Sequence, residues 1–305
     1  MKALLPLRLA LTANAVFSFS TALLMLFYPV LVGTWLGIQT PPIFQVVGIG
    51  LAIFATELIY QARCQRMATW RALLASAADF SWVVGSVVLL LAFPQLFSPL
   101  GNVLVLAVAV AVFVFGSWQL WAAGYAHKTG AGGDYRHCII VETNVSAQKL
   151  WEVVGNIGEI ENYMPSLKRS FVLEGKAPSV GAIRVCENRA GQQWSEECTE
   201  FSPGRSFAVH FLSEAANFPF PAKTMRGGWE VIPSGVGSQV MVWWELKPHS
   251  KLLAPIILPL LAFQVDRDFP QIVHRMAATA ILEPNSNLAM RSKDAVFARL
   301  LPIFC

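Results

Sequence analysis

The stretch VLVLAVAVAVFVFGSWQLWAAGYA, residues 103–126, carries no charged side chain and exceeds the ~20 apolar residues a helix needs to cross a hydrocarbon layer ~30 Å thick. Three earlier stretches, 7–32, 43–61 and 72–93, read the same way, each closed by Pro, Gly or Arg rather than by the polar face of a soluble helix. The pattern predicts a four-helix transmembrane domain over 1–126. Lipid is then the solvent of this part of the chain, and every backbone polar group in it must be satisfied internally.

At 305 residues the chain has room beyond the bundle for one soluble domain of ordinary size. The net charge of +4 divides unevenly: residues 1–128 hold six Lys/Arg against Glu57 and Asp79, while the remainder holds seventeen of each sign. Charge therefore excludes nucleic acid as a partner. Lys2 and Arg8 precede the first span, Arg63, Arg66 and Arg71 separate the second from the third, and Lys128 with Arg136 follows the fourth. The other two connections, 33–42 and 94–102, are uncharged. Basic loops stay cytoplasmic, so an integral protein with both termini and the soluble domain in the cytoplasm is expected, in the inner membrane if the cell is bacterial. Ala13-Asn14-Ala15 offers a competing signal-peptidase site. Arg8 interrupts the apolar run, however, and that run continues far past the cut.

Five cysteines, Cys64, Cys138, Cys186, Cys198 and Cys305, form an odd set without short pairing, and a cytosolic location predicts thiols. Asn144-Val145-Ser146 matches a glycosylation acceptor, which requires the lumenal side that the charges deny. Ser146 reads instead as a helix cap.

Within the spans, Glu57 lies six residues before Arg63 and Asp79 eight after Arg71, ~9–12 Å inside the cytoplasmic boundary at ~1.5 Å per residue. Asn14 and Gln119 fall at comparable depth, so these polar residues, one per helix, can meet in one layer. An intramembrane carboxylate costs ~2.5–3.5 kcal/mol on insertion scales and should face the bundle interior. Two readings stand: a proton or cation relay, or interhelical hydrogen bonding that fixes register. Gly48-Ile49-Gly50 begins a nucleotide-loop pattern but follows no strand, and close helix packing explains it better.

Composition changes at the Gly-rich linker 127–134. Afterwards come a strand at 138–145, a helix from Ser146, a short helix at 157–163, strands at 170–174, 182–189, 192–201, 206–212, 225–233 and 238–248, and a helical pattern over 252–281. Pro/Gly-rich separators make the strands an antiparallel meander. Pro255, Pro259 and Pro270 must mark a start, a kink or a restart of the last helix. The tail 284–305 is either disordered or lies on the membrane surface.

The β-α-α-β6-α order, the stretch VSAQKLWEVV at 145–154, IGEIENYMPS at 157–166 and GWEVIPSGVGSQV at 228–240 together resemble the START-like (SRPBCC) superfamily, which includes polyketide cyclase/dehydrase-like and lipid-transfer members. The resemblance covers 135–283 and leaves the bundle unassigned. It implies an α+β helix-grip domain, a curved antiparallel sheet wrapped on a long C-terminal helix, with a cavity between them for an apolar ligand.

Strand parity reaches a similar wall from the residues alone. Phe207, Val209 and Phe211 share one face of their strand, Trp229 and Val231 one face of theirs, and Val240, Val242, Trp244 and Leu246 one face of the last. Phe269 lies on the final helix beside them. Such a wall lines either an apolar pocket or a packed core. On the opposite parity, Trp243, with the apolar approach 252–263, either touches the membrane interface or is packed by a neighbouring loop.

No catalytic spacing appears: there is no Gly-x-Ser-x-Gly, His-Glu-x-x-His or Cys-x-x-Cys, and the five histidines are dispersed. No metal or cofactor site is expected. Glu196 and Glu197 point to opposite faces, and one of them with Arg184 or Glu187 either polarises a ligand or forms a cross-strand ion pair. Asp266 and Asp268 flank Arg267 on an expected solvated helix face. The leading expectation is a membrane-anchored, cytoplasm-facing module that binds an apolar, lipid-like small molecule without covalent catalysis, with membrane lipid and that ligand as partners. A cyclase/dehydrase-like enzyme on a polyketide-type substrate and a small proton- or cation-linked transporter are the alternatives. Oligomeric state is not legible.

Overall fold

The computed structural model describes residues 4–64, 67–129, 134–214, 218–281 and 298–301, which form two compact units, the first running to His127 and including Pro255–Leu260, the second holding the remainder. In the first, α1 (Leu5–Phe27), α2 (Pro29–Leu36), α3 (Pro41–Arg63), α4 (Thr69–Ala92) and α5 (Pro99–Tyr125) follow one another. Among the described residues, α1, α3, α4 and α5 are long and apolar enough to cross a membrane. The first apolar stretch is broken at Tyr28, where Pro29 withholds an N–H and pushes its predecessor out of helical geometry. Proline recurs as a starter in α3 and α5, where its fixed φ suits the first helical position. The Ser98 hydroxyl caps α5 by accepting from the Gly101 N–H at 2.9 Å.

Small and medium side chains, among them Leu7, Leu11, Ala15, Leu58, Ala72 and Ala122, fill the bundle core. Val46, Ile53, Leu74, Leu91 and Val103 point outward and are more than half exposed. A surface this apolar matches hydrocarbon rather than water. At one end the Arg8 guanidinium donates to the Cys64 carbonyl at 2.9 Å, and Thr69 Oγ1 and His127 Nε2 lie 2.9 Å apart.

The second unit is a helix-grip fold. Its elements are β1 (Lys128–Thr129), β2 (Asp134–Thr143), α6 (Ala147–Val154), a 3-10 turn (Ile157–Asn162), β3 (Leu167–Val172), β4 (Ile183–Asn188), β5 (Gln193–Ser202), β6 (Ser206–Phe211), β7 (Ala222–Ser234), β8 (Gly237–Pro248), α7 (Ala254–Ile281, apart from Pro255–Leu260) and β9 (Ala298–Leu301). The antiparallel sheet runs β1-β2-β8-β7-β6-β5-β4-β3, and β9 pairs with β2 beyond the stretch that β1 covers. Register shifts in β3, β5 and β7 place bulges along the path, and bulges bend a sheet. The β7–β8 hairpin closes through Gly235, whose φ of 58° is the left-handed geometry a two-residue loop requires.

α7 continues through Pro259 and Pro270 as one helix. Each proline removes one backbone bond at a cost of ~3 kcal/mol, offset at Pro270 by burial of the face carrying Ile272, Val273, Met276 and Ala277. Ser146 stands at the start of α6 in extended geometry, yet its side chain makes no capping bond. Thr143 holds that corner instead, its Oγ1 accepting from the Val145 N–H at 3.2 Å and lying 3.2 Å from Ser238 Oγ. Cys64, Cys186 and Cys198 are thiols, but Cys138 is in a disulfide. The expectation of thiols throughout rested on compartment and spacing, and spacing is blind to cysteines that the fold brings close. Cys305 lies outside the described residues, as does the tail apart from Ala298–Leu301.

Candidate functional site

Alternation along each strand puts one residue in two on the inner face, toward α7. One row crosses four strands: Phe207 pairs with Trp229, Trp229 with Val242, and Val242 with Ile139. A second joins Val231, Val240 and Val141. Phe207, Val209, Trp229, Val231, Val240 and Val242 share one buried cluster with Ile272, Val273 and Met276 of α7. Trp244 and Leu246 are buried at the same parity, while Phe211 and Phe269 are half-buried against the cluster. Phe207 stacks on Trp229 with ring centroids 6.5 Å apart, and Trp229 tilts onto Phe269 at 5.5 Å.

Gly227 interrupts this wall between Val209 and Trp244. The Phe211 ring edge is 3.6 Å from the position a Cβ there would take. Around it Phe211, Phe218 and Phe220 meet edge to face at 5.4–6.3 Å, and Trp194 meets Phe220 at 5.4 Å. These phenylalanines pack against the core without being fully covered by it.

Two polar groupings flank the aromatics. On β4 and β5, Arg184 and Glu196 are register partners, each more than nine-tenths buried. The Arg184 Nε donates to Glu196 Oε2 at 3.1 Å, its Nη2 closes a second bond to the same oxygen, and its Nη1 donates to the Ile157 carbonyl at 2.9 Å. Trp194 Nε1 donates to Glu196 Oε1 at 2.7 Å, and the Cys186 thiol lies 3.9 Å from that oxygen. Burial disfavours the charged guanidinium, but the adjacent carboxylate more than compensates, and the Arg184 pKa rises. Burial first and the Glu196 charge second push the Cys186 thiol up to about 12. Burial also raises Cys198. Neither sulfur is a thiolate nucleophile at neutral pH. Glu161 Oε2, whose charge is felt at Cys186, is buried without a hydrogen-bond partner.

Across the sheet, His137 Nε2 lies 2.9 Å from Asp266 Oδ1, joining β2 to α7, with the Trp244 ring 5.8 Å from the imidazole. Dispersal along the chain hid this pair, although His137 shares parity with Ile139 and Val141 and so belongs to the inner face. Asp266 is therefore not on the solvated face expected of it; only Arg267 and Asp268 pair in the open. Trp243 lies on the outer face beside Gly228, where a Cβ would sit 2.6 Å from the indole, with Arg136 and Arg226 5.2 and 6.0 Å from its ring centroid. The indole thus covers a glycine between two cations.

In the bundle, Asp79 Oδ2 accepts from Asn14 Nδ2 at 2.9 Å and from Gln119 Nε2 at 2.8 Å. Glu57 stands apart, paired with Arg71 and accepting from Gln61 Nε2 at 3.0 Å. Its side chain is 42% exposed, near the helix end where Arg71 reaches it. No cluster of three metal-ligating side chains occurs among the described residues.

Residues 140–280 match the family model described as polyketide cyclase / dehydrase and lipid transport. This is the superfamily the sequence resembles, and the bundle lies outside the match. Solved structures similar to the cyclase/lipid-transport domain include an uncharacterised protein of Bacillus thuringiensis, 19% identical over 46% of this chain and 98% of that one, with a TM-score of 0.37. Ara h 8.0201 is 12% identical over 48% of this chain and 98% of its own, with a TM-score of 0.39. A Thermobifida fusca protein solved by NMR is 20% identical over 47% and 93%, with a TM-score of 0.38. No curated protein matches the chain.

Proposed function

We propose that the chain is a membrane-anchored module whose cyclase/lipid-transport domain takes up an apolar or lipid-like small molecule at the cytoplasmic surface. The observation that carries this reading is the inner wall itself: an apolar row running Phe207, Trp229, Val242 and Ile139, with the neighbouring row stripped of a side chain at Gly227 beside half-buried Phe211, Phe218 and Phe220. Apolar surroundings with a few convergent polar groups are what small-ligand sites use. The Arg184–Glu196 and His137–Asp266 pairs supply those groups at its margins. Anchoring rests on the four apolar helices, and orientation on the basic connections. A tethered domain samples the high local concentration of apolar solutes at the bilayer surface.

A photoactivatable diazirine fatty acid, crosslinked to the full chain in native membranes and mapped by peptide mass spectrometry, tests the reading. Labels are expected on peptides containing Phe211, Gly227 or Phe269. Labels confined to the bundle contradict it.

One observation favours a second reading, a cyclase/dehydrase-type enzyme. Glu196 pairs with a buried arginine, and Glu161, whose Oε2 is buried without a partner, acts electrostatically on the neighbouring Cys186; a carboxylate so placed can exchange a proton with a bound polyketide-type substrate. Turnover abolished by Glu161→Gln, in a chain that still folds, distinguishes it from a carrier.

A further inference from the structure

The bundle holds a cavity of about 120 Å³, lined by Phe17, Ser18, Phe54, Asp79, Trp82 and Val108 among others. Each of these residues lies near the middle of its helix. Asp79 is ten residues from the start of α4 and thirteen from its end, ~15–20 Å from either terminus at ~1.5 Å per residue. Phosphate and other headgroup charges stay outside a hydrocarbon layer ~30 Å thick, so a phospholipid headgroup does not reach this depth.

Asp79 is 4% exposed and makes no ion pair among the described residues. Both of its side-chain hydrogen bonds, from Asn14 and Gln119, fall on Oδ2, which leaves Oδ1 without a donor among the described residues. Two amide donors suit a carboxylate, yet amides carry no counter-charge. Hydrated metal ions are poorly served by these walls, because hard cations take about six or more oxygen ligands. Phe17, Phe54 and Trp82 line it instead, and aromatic rings attract organic cations electrostatically. The volume also fits: an apolar cavity of ~150 Å³ accepts benzene.

We propose that this cavity is a binding site for a small amphipathic ammonium, an alkyl- or arylamine in its protonated form, with Asp79 as counter-ion and the aromatic residues as its walls. The site is independent of the ligand reading of the sheet domain. The ammonium donates to Asp79 Oδ1 while its apolar body fills the space between Phe54, Trp82 and Val108.

The test is equilibrium binding of benzylammonium to the full chain in phosphatidylcholine nanodiscs, followed by tryptophan fluorescence and calorimetry, with neutral benzyl alcohol as control. Saturable ammonium binding is expected, weakened at least about tenfold by Asp79→Asn, while benzyl alcohol is indifferent to that change. Val108→Phe fills the cavity without touching the carboxylate and is expected to weaken both ligands. Adding phosphatidylethanolamine to the nanodiscs should leave the ammonium affinity unchanged. The proposal is overturned by absent saturable binding, by wild-type affinity in Asp79→Asn, by full binding in a folded Val108→Phe chain, or by competition from the phosphatidylethanolamine headgroup.

Discussion

Arg184 and Glu196 are each isolated from water, and neither charge is tolerable there without the other. Arg184→Met leaves a buried carboxylate and is expected to cost about 3–5 kcal/mol in denaturant unfolding, whereas replacing both residues by apolar ones of similar volume should be nearly neutral. A single-variant cost within error of zero would show that the pair is not desolvated. Cys186 beside them titrates at about 12 in the fold, well above the usual ~8.5 of a free thiol. Its neutral form is favoured by folding, so this contribution is complete below the ordinary thiol pKa and is lost as pH climbs through about 12. At pH 8, N-ethylmaleimide should leave Cys186 unmodified in the folded protein and alkylate it in denaturant, as peptide mapping reads directly. Rapid labelling of the native chain would contradict the buried geometry.

α7 shows how tertiary packing overrides local propensity. Prolines at 259 and 270 argue for interruption, yet the helix runs unbroken, and around Pro270 its apolar face is buried against the sheet domain's core. Pro270→Ala restores a backbone donor and is expected to raise the unfolding free energy by about 1 kcal/mol or more, since proline in a helix interior costs ~3 and its loss in the unfolded chain returns only part of that. A destabilised variant would mean that the proline shapes a bend the packing needs. Strands were legible because parity is rigid: Phe207, Trp229 and Val242 announce their shared face in the sequence and meet in register. What joins distant elements was not. His137 and Asp266 are 129 positions apart, and nothing local marks either as a partner. Glu57 was grouped with Asp79 by depth alone, but depth says nothing of azimuth, and around its helix Glu57 turns toward Arg71. The break at Tyr28 follows from Pro29, whose missing N–H outweighs the hydropathy of the surrounding stretch.

At the scale of the molecule, an apolar bundle and a charge-balanced sheet domain divide the work between two solvents. The orientation proposed above rests on cations concentrated on alternate connections. Protease added to sealed right-side-out vesicles should spare the sheet domain, and the same protease on inverted vesicles should digest it; the opposite pattern would reverse the topology. The central claim is that a tethered helix-grip domain holds an apolar ligand. Native mass spectrometry of the full chain, released gently from detergent, tests it most directly. A lipid-sized mass bound one to one is expected, retained by Asp79→Asn and lost from Gly227→Trp, which sets an indole on the inner wall beside Phe211. A wild-type chain that arrives bare, or a Gly227→Trp chain that keeps the same mass, would contradict it.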